Sequence, residues 1–124
     1  MQKIKITIGK IILYAELFDT ESARAIFNVL PIETSPKEWG DEFYFEIPVK
    51  LPLDETATIN VKVGDIGYWP SGNALAIFFG PTPMSKDFNP VPAGDVNLIG
   101  KIIGDATVLE KVKGADKIRI DKTE

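Results

Sequence analysis

The sequence predicts a mainly β protein, built as a closed barrel of about eight strands with one main helix. Several short segments alternate apolar and polar residues, which is typical of half-buried strands. Only one segment, at about residues 20–30, repeats its apolar residues with a helical period. Turn residues separate the segments, and closing a sheet into a barrel removes the exposed strand edges that it would otherwise have.

The chain opens with a predicted β-hairpin. Residues 3–8, KIKITI, place three isoleucines on one face, and residues 11–17, IILYAEL, return as a second strand. The two segments are joined by Gly9 and Lys10, and glycine tolerates the positive φ of a tight turn.

The main helix is predicted over about residues 20–30. Asp19 or Thr20 can cap it, Glu21 suits the positive end of its dipole, and Pro31 ends it. Its apolar face consists of Ala23, Ile26, Phe27 and Leu30.

Four strands are predicted in the middle of the chain. Residues 43–49 alternate, with Tyr44 and Glu46 on the face opposite the phenylalanines. Residues 56–63, TATINVKV, form the next strand. Residues 65–69 and 74–79 form two more, joined by a Pro-Ser-Gly-Asn turn.

The last third of the chain begins with a long irregular loop over residues 80–95, which contains four prolines. Residues 96–104, VNLIGKIIG, read as a buried strand, and residues 117–120, KIRI, as the final one. Between them, TVLEKV at 107–112 fits either a strand or a second short helix. No linker or repeat interrupts the pattern, so residues 1–124 are predicted to form a single domain.

Composition excludes several classes of function. The chain contains no Cys and no His, which excludes Ser-His and Cys-His triads and zinc sites with the usual ligands. No metal site and no cofactor are therefore predicted. The net charge of −4 and the lack of a basic stripe argue against nucleic acid, and no apolar run is long enough to cross a membrane. A cytoplasmic location is expected.

Several segments resemble cyclophilins. AELF at 15–18 before the helix, AIFF at 76–79 and VNLIGKIIG at 96–104 resemble segments of that family in the same order. A closer likeness is to the small bacterial and archaeal cyclophilin-like proteins of unassigned function, which share a Tyr-Trp-Pro turn followed by IFFGPTP, here residues 68–70 and 77–83. The resemblance implies a closed antiparallel barrel.

The same resemblance does not carry prolyl isomerase activity with it. The family's catalytic arginine lies on a strand that matches residues 43–48, and FYFEIP contains no arginine. Its glutamine matches Ile77, its tryptophan falls near Val91 and its late histidine near Val96, so only the aromatic floor remains, as Phe79. Without a preorganised donor for the twisted amide, efficient isomerisation is not expected.

The candidate binding site centres on GYWPSGNALAIFFGPTP, residues 67–83, which contains no charged residue. Either these aromatic residues are core, or one face of them forms an aromatic groove. Because Tyr68 and Trp69 are adjacent in a strand, one of them should face outward. The predicted ligand-binding residues are Tyr44, Glu46, Tyr68, Trp69, Phe78, Phe79, Pro81, Thr82 and Met84.

Glu46 is either a solvated carboxylate or, in a pocket beside Tyr44, an acid or base with a raised pKa. Asp41 and Glu42 read as loop charges. The predicted role is to bind a small apolar molecule or a proline-containing peptide. Two alternatives are a weak or divergent prolyl isomerase using Glu46 and Tyr44, and an assembly subunit with the aromatic segment as its interface. The sequence leaves the oligomeric state open.

Overall fold

A computed structural model describes residues 1–123 of the chain. Within them are ten strands, one α-helix (α1) and two 3-10 helices. The strands are β1 (Gln2–Ile8), β2 (Ile11–Leu17), β3 (Ile32–Thr34), β4 (Lys37–Glu38), β5 (Glu42–Glu46), β6 (Ala57–Thr58), β7 (Asp65–Trp69), β8 (Ala74–Phe78), β9 (Val96–Ile103) and β10 (Ile118–Lys122). The helices are α1 (Glu21–Asn28) and the 3-10 helices Pro70–Gly72 and Ala106–Val112.

All strand pairs are antiparallel and belong to one sheet. Its order is β3-β10-β1-β2-β9-β7-β8-β5-β4, and β6 also pairs with β9. The mainly β prediction is confirmed, but closure of the barrel is not, because within residues 1–123 no strand pair joins the two ends of this path. The end strands β3 and β4 are very short and are separated by Ser35 and Pro36, and a proline has no N–H to donate to a ladder.

The predicted main helix is present as α1. The hydroxyl of Thr20 caps it by accepting a hydrogen bond from the amide of Ala23 at 3.1 Å. Of the two alternatives for residues 107–112, the structure has the helix: Ala106–Val112 is a 3-10 helix capped by Asp105, whose carboxylate accepts from the amide of Thr107 at 3.0 Å.

The predicted strand at 56–63 is wrong in extent, because only Ala57 and Thr58 pair with β9. The following segment turns instead: the amide of Lys62 donates to the carboxylate of Asp65 at 2.8 Å and the amide of Gly64 to the carbonyl of Phe78 at 2.7 Å. Strands β3 and β4 were not predicted, since two or three residues are too few to show alternation.

The side chains of the sheet divide into two hydrophobic clusters. The main core contains the isoleucines of β1 together with residues from most other strands and from α1. A smaller cluster lies on the opposite face of β8 and β9 and consists of Val61, Ala76, Phe78 and Val96, with Tyr44, Trp69 and Leu98 packed against it. The smaller cluster forms the base of the candidate site.

Tyr68 is fully buried in the main core and ties a loop to β7. Its hydroxyl donates to the carbonyl of Val49 at 2.6 Å and accepts from the amide of Leu51 at 3.2 Å. Both bonds fix the segment that follows β5, so the Tyr68 side chain serves the fold and not a binding surface.

We therefore expect Tyr68→Phe to lower the free energy of unfolding by about 1–3 kcal/mol, because it leaves the Val49 carbonyl and the Leu51 amide without their partner. Tyr14→Phe, at an exposed tyrosine on β2, is the matched control and should change stability by less than about 0.5 kcal/mol. Urea denaturation measures both. Equal stability of the two variants would show that the Tyr68 hydroxyl contributes nothing.

Within residues 1–123, none of the helices has both the length and the apolar character needed to cross a bilayer.

Candidate functional site

The floor of the site is a patch of small residues on the outer face of the sheet. Gly67 of β7 lies opposite Ala76 of β8, and Ala76 lies opposite Tyr44 of β5. A Cβ on Gly67 would stand only 2.8 Å from a methyl group of Val96, so the glycine allows β9 and its valine to pack closely here. Small side chains flanked by large ones leave a depression in the surface.

Aromatic and apolar side chains surround this depression and make it a pocket. Its volume is about 150 Å³, and its lining consists of Trp39, Glu42, Tyr44, Trp69, Ala76, Pro92, Ala93 and Val96. The three aromatic side chains are half-buried, so each has one part in the protein and another facing the pocket. Such a concave, mainly apolar surface with few polar groups is typical of a small-molecule site.

The β4–β5 hairpin brings Trp39 to the pocket. The amide of Trp39 donates to the carbonyl of Glu42 at 3.0 Å, and between them Gly40 has a positive φ of 61°. A Cβ on Gly40 would lie 2.8 Å from the Cα of Thr82, so both the conformation and the close approach of the loop require glycine.

The loop that contributes Pro92 and Ala93 is held by one buried threonine. The hydroxyl of Thr82 donates to the carbonyl of Val91, and the amide of Thr82 donates to the hydroxyl of Ser85 at 2.9 Å. The predicted irregular loop is confirmed over residues 80–95. Thr82 positions this loop, and its own side chain does not line the pocket.

The indole of Trp69 is held between a turn and a loop. A Cβ on Gly72 would lie 2.8 Å from Cε3 and Cζ3 of the ring, whereas a Cβ on Gly94 would lie 3.7 Å from its Nε1. The first distance is a clash and the second an ordinary contact. Gly72 therefore leaves the space that the Trp69 ring occupies.

From this difference we expect Gly72→Ala to displace the Trp69 ring. The affinity of any ligand that contacts the ring should then fall by about tenfold, which corresponds to a loss of about 1.4 kcal/mol of binding free energy. Gly94→Ala is the matched control, because its new methyl group meets the same ring without a clash. Tryptophan fluorescence compares the two proteins. A Gly72→Ala spectrum identical to that of the control would contradict this account of the ring's position.

Glu42 is the charged residue of the pocket lining, and its side chain is 8% exposed. Its Oε1 atom has no hydrogen-bond partner in the described chain. Burial raises the pKa of the Glu42 carboxyl to about 7, because the low-dielectric surroundings disfavour the charged form. The ammonium of Lys113 does not compensate this charge, since it pairs with Asp41 at 2.7 Å.

The predicted ligand-binding residues are distributed over several parts of the molecule. Tyr44 and Trp69 line the pocket, and Phe78 is buried beneath it in the smaller cluster. Phe79 packs on Phe43 in the main core, with ring centroids 4.8 Å apart, on the other side of the sheet. Tyr68 lies in the same core, so of the adjacent pair it is Trp69 that faces outward, as alternation predicted.

The other predicted residues lie away from the pocket lining. Glu46 and Pro81 are exposed, and Met84, which is 56% exposed, lines a separate shallow groove with Ile59 and Val91. Within residues 1–123, no group of three or more acidic side chains lies close enough to hold a metal ion.

Sequence reasoning missed Glu42 and Trp39. Glu42 is not a loop charge: it is the first residue of β5 and shares the face of Tyr44 and Glu46. Extending the alternation of β5 back by one residue would have placed it on that face. No local pattern marks Trp39, because the hairpin that brings it there is set by contacts with a distant loop.

Comparison with known proteins agrees with this architecture. A family model described as cyclophilin-like matches residues 2–121. The chain belongs to the cyclophilin-like family. The match covers nearly the whole chain, so the resemblance seen in short sequence segments extends to the entire β framework and to the strands that form the pocket.

A solved structure has a similar fold. This cyclophilin-like chain is similar to a hypothetical protein from Archaeoglobus fulgidus known from a solution structure, with 33% sequence identity and a TM-score of 0.83. The alignment covers 98% of this chain and 95% of the archaeal one. No curated protein matches the chain.

Proposed function

We propose that this cyclophilin-like protein binds a small apolar molecule, or a proline-containing peptide, by accepting one ring-sized group between Trp39, Tyr44 and Trp69. The observation that carries the proposal is the aromatic pocket itself, with its floor of small residues. A cavity of about 150 Å³ in another protein holds benzene, so a volume of this size suits a single ring.

Binding is favoured over isomerisation by the composition of the pocket. Its lining has no lysine or arginine among the described residues. Prolyl isomerisation crosses a barrier of roughly 20 kcal/mol, and a donor aimed at the twisted amide is what would lower it. Glu42 is not a substitute for a guanidinium, because it donates only when protonated.

The pocket contains its own spectroscopic probe. The chain has two tryptophans, Trp39 and Trp69, and both line the pocket. A saturable change in tryptophan emission on adding a ligand is therefore the expected signal of binding at this site, and it needs no label.

Titration with benzyl alcohol and with short alanine-proline peptides tests the proposal. We expect saturable changes in tryptophan emission, with dissociation constants in the micromolar to millimolar range for such small ligands, about −4 to −8 kcal/mol. Alanine-glycine peptides are the matched control. Absence of a saturable response to benzyl alcohol and to the proline peptides would overturn the proposed function, whereas a catalysed rate with a chromogenic proline peptide would replace it by isomerisation.

A further inference from the structure

We propose that the preferred ligand group of this pocket is a methylated ammonium, an organic cation held by the aromatic side chains against the carboxylate of Glu42. The inference rests on the proposed function, because it takes the same aromatic pocket as the binding site and assigns a charge to the group that enters it. It depends on three observations: the aromatic walls, the uncompensated carboxyl group and the absence of other charges in the lining.

The aromatic walls suit a cation with an apolar surface. Two tryptophans and a tyrosine line a pocket of about 150 Å³. The faces of such rings carry negative potential and attract cations, and tryptophan does so most strongly. A quaternary ammonium has no N–H groups to satisfy, so its methyl groups can pack against rings without a loss of hydrogen bonds.

Glu42 supplies the opposite charge. A buried carboxyl group is costly unless it is paired, yet Oε1 of Glu42 has no partner in the described chain. The ammonium of Lys113 pairs with Asp41, the residue that precedes Glu42 in the chain. A cation entering the pocket would provide the compensating charge that the described part of the chain does not provide.

No other charged side chain of the lining competes with this interaction. Tyr44, on the same strand as Glu42, is the other titratable group that lines the pocket. The other described residues that line it, from the β4–β5 turn, β7, β8, β9 and the loop, do not titrate: Trp39, Trp69, Ala76, Val96, Pro92 and Ala93. The charge state of the pocket is therefore set by Glu42.

The experiment compares choline with 3,3-dimethylbutan-1-ol, which has the same shape with carbon in place of the charged nitrogen. The charge of choline does not change with pH, so any pH dependence belongs to the protein. At about pH 8 we expect choline to bind at least about tenfold more tightly than the alcohol. Between about pH 6 and pH 8, choline affinity should rise about tenfold as Glu42 ionises.

A short peptide containing trimethyllysine forms a second arm of the experiment. Tighter binding of the peptide than of choline would assign the methylammonium group to a modified protein, and tighter binding of choline would assign it to a free small molecule. Both results support the cation site. Only the source of the group differs.

Glu42→Gln should remove both the preference for choline over the alcohol and the pH dependence of choline binding. Glu46→Gln, an exposed change on the same strand, is the control and should retain both. If the Glu42→Gln protein does not fold, the affinity of the unmodified protein for choline between about pH 6 and pH 8 decides whether the cation inference holds.

Two results would overturn the cation inference: equal affinity for choline and the alcohol at about pH 8, or choline binding that does not change with pH. Neither result would contradict the proposal that the pocket binds an apolar group. Tighter binding of the alcohol than of choline at about pH 8 would also overturn the cation inference. Failure of both probes, together with benzyl alcohol and the proline peptides, would overturn the proposed function as well.

Discussion

Replacing Glu42 with glutamine is expected to stabilise the protein by an amount that grows by about 3 kcal/mol between about pH 4 and pH 8. The carboxyl pKa is about 7 in the folded protein against a model value of 4.5. Between these two values the folded form keeps a proton that the unfolded form has lost, so rising pH favours unfolding of the unmodified protein. This loss of folding stability is complete above about pH 7. The Glu42→Gln protein does not show it, because glutamine does not ionise.

Urea denaturation of both proteins across this pH range measures the effect. Subtracting the two free energies at each pH cancels the titration of Asp65, whose pKa is also raised by burial. Glu46→Gln is the control, and because this side chain is exposed its effect should stay below about 0.5 kcal/mol. The two proteins could instead differ in stability by the same amount at every pH. That result would show that folding does not raise the pKa of Glu42.

Filling the pocket is the second change with a large expected effect. In Ala76→Leu, the longer side chain projects from the floor between Tyr44 and Val96 and occupies the space of a ring-sized ligand. We expect affinity for benzyl alcohol to fall by more than about tenfold, a loss of more than about 1.4 kcal/mol. Stability should fall by less than about 3 kcal/mol, because the added atoms enter the space of the pocket.

Ala25→Leu on α1 adds the same atoms away from the pocket and serves as the matched control. Affinities come from tryptophan emission and stabilities from urea denaturation. Unchanged affinity in a folded Ala76→Leu protein would mean that the ligand binds somewhere else, and would contradict the assignment of the site to this pocket.

The two changes report on different properties of one site. The Glu42 series measures the cost of a buried charge without any ligand, whereas the Ala76 variant measures the use of the space beside that charge. A cation that binds the pocket would also lower the apparent pKa of Glu42, since it favours the ionised form.

Local patterns in the sequence were sufficient for most of the framework. Alternation in KIKITI predicts the face that β1 buries, and the cap at Thr20 predicts where α1 begins. The buried face of β1 and the start of α1 both depend on residues close to one another in the chain, so the local sequence is sufficient to predict them. The position of Tyr68 and Trp69 on opposite faces follows from the same two-residue period.

The pocket required the tertiary structure. Alternation shows which residues share a face but not what covers that face, so Trp69 could be placed outward while the groups around it could not be named. Trp39 reaches the pocket through a hairpin, and Pro92 arrives on a loop fixed by Thr82. These contacts join residues that are distant in sequence, and no local period encodes them.

By itself, the sequence of this protein determined a mainly β framework, its helix, its cyclophilin-like character and the presence of an apolar aromatic segment. Only the tertiary structure decided that Phe79 and Tyr68 belong to the core, that Trp39 joins Trp69 and that Oε1 of Glu42 is buried without a hydrogen-bond partner among residues 1–123. The physical reason is that burial and charge compensation depend on the sum of all neighbours in space.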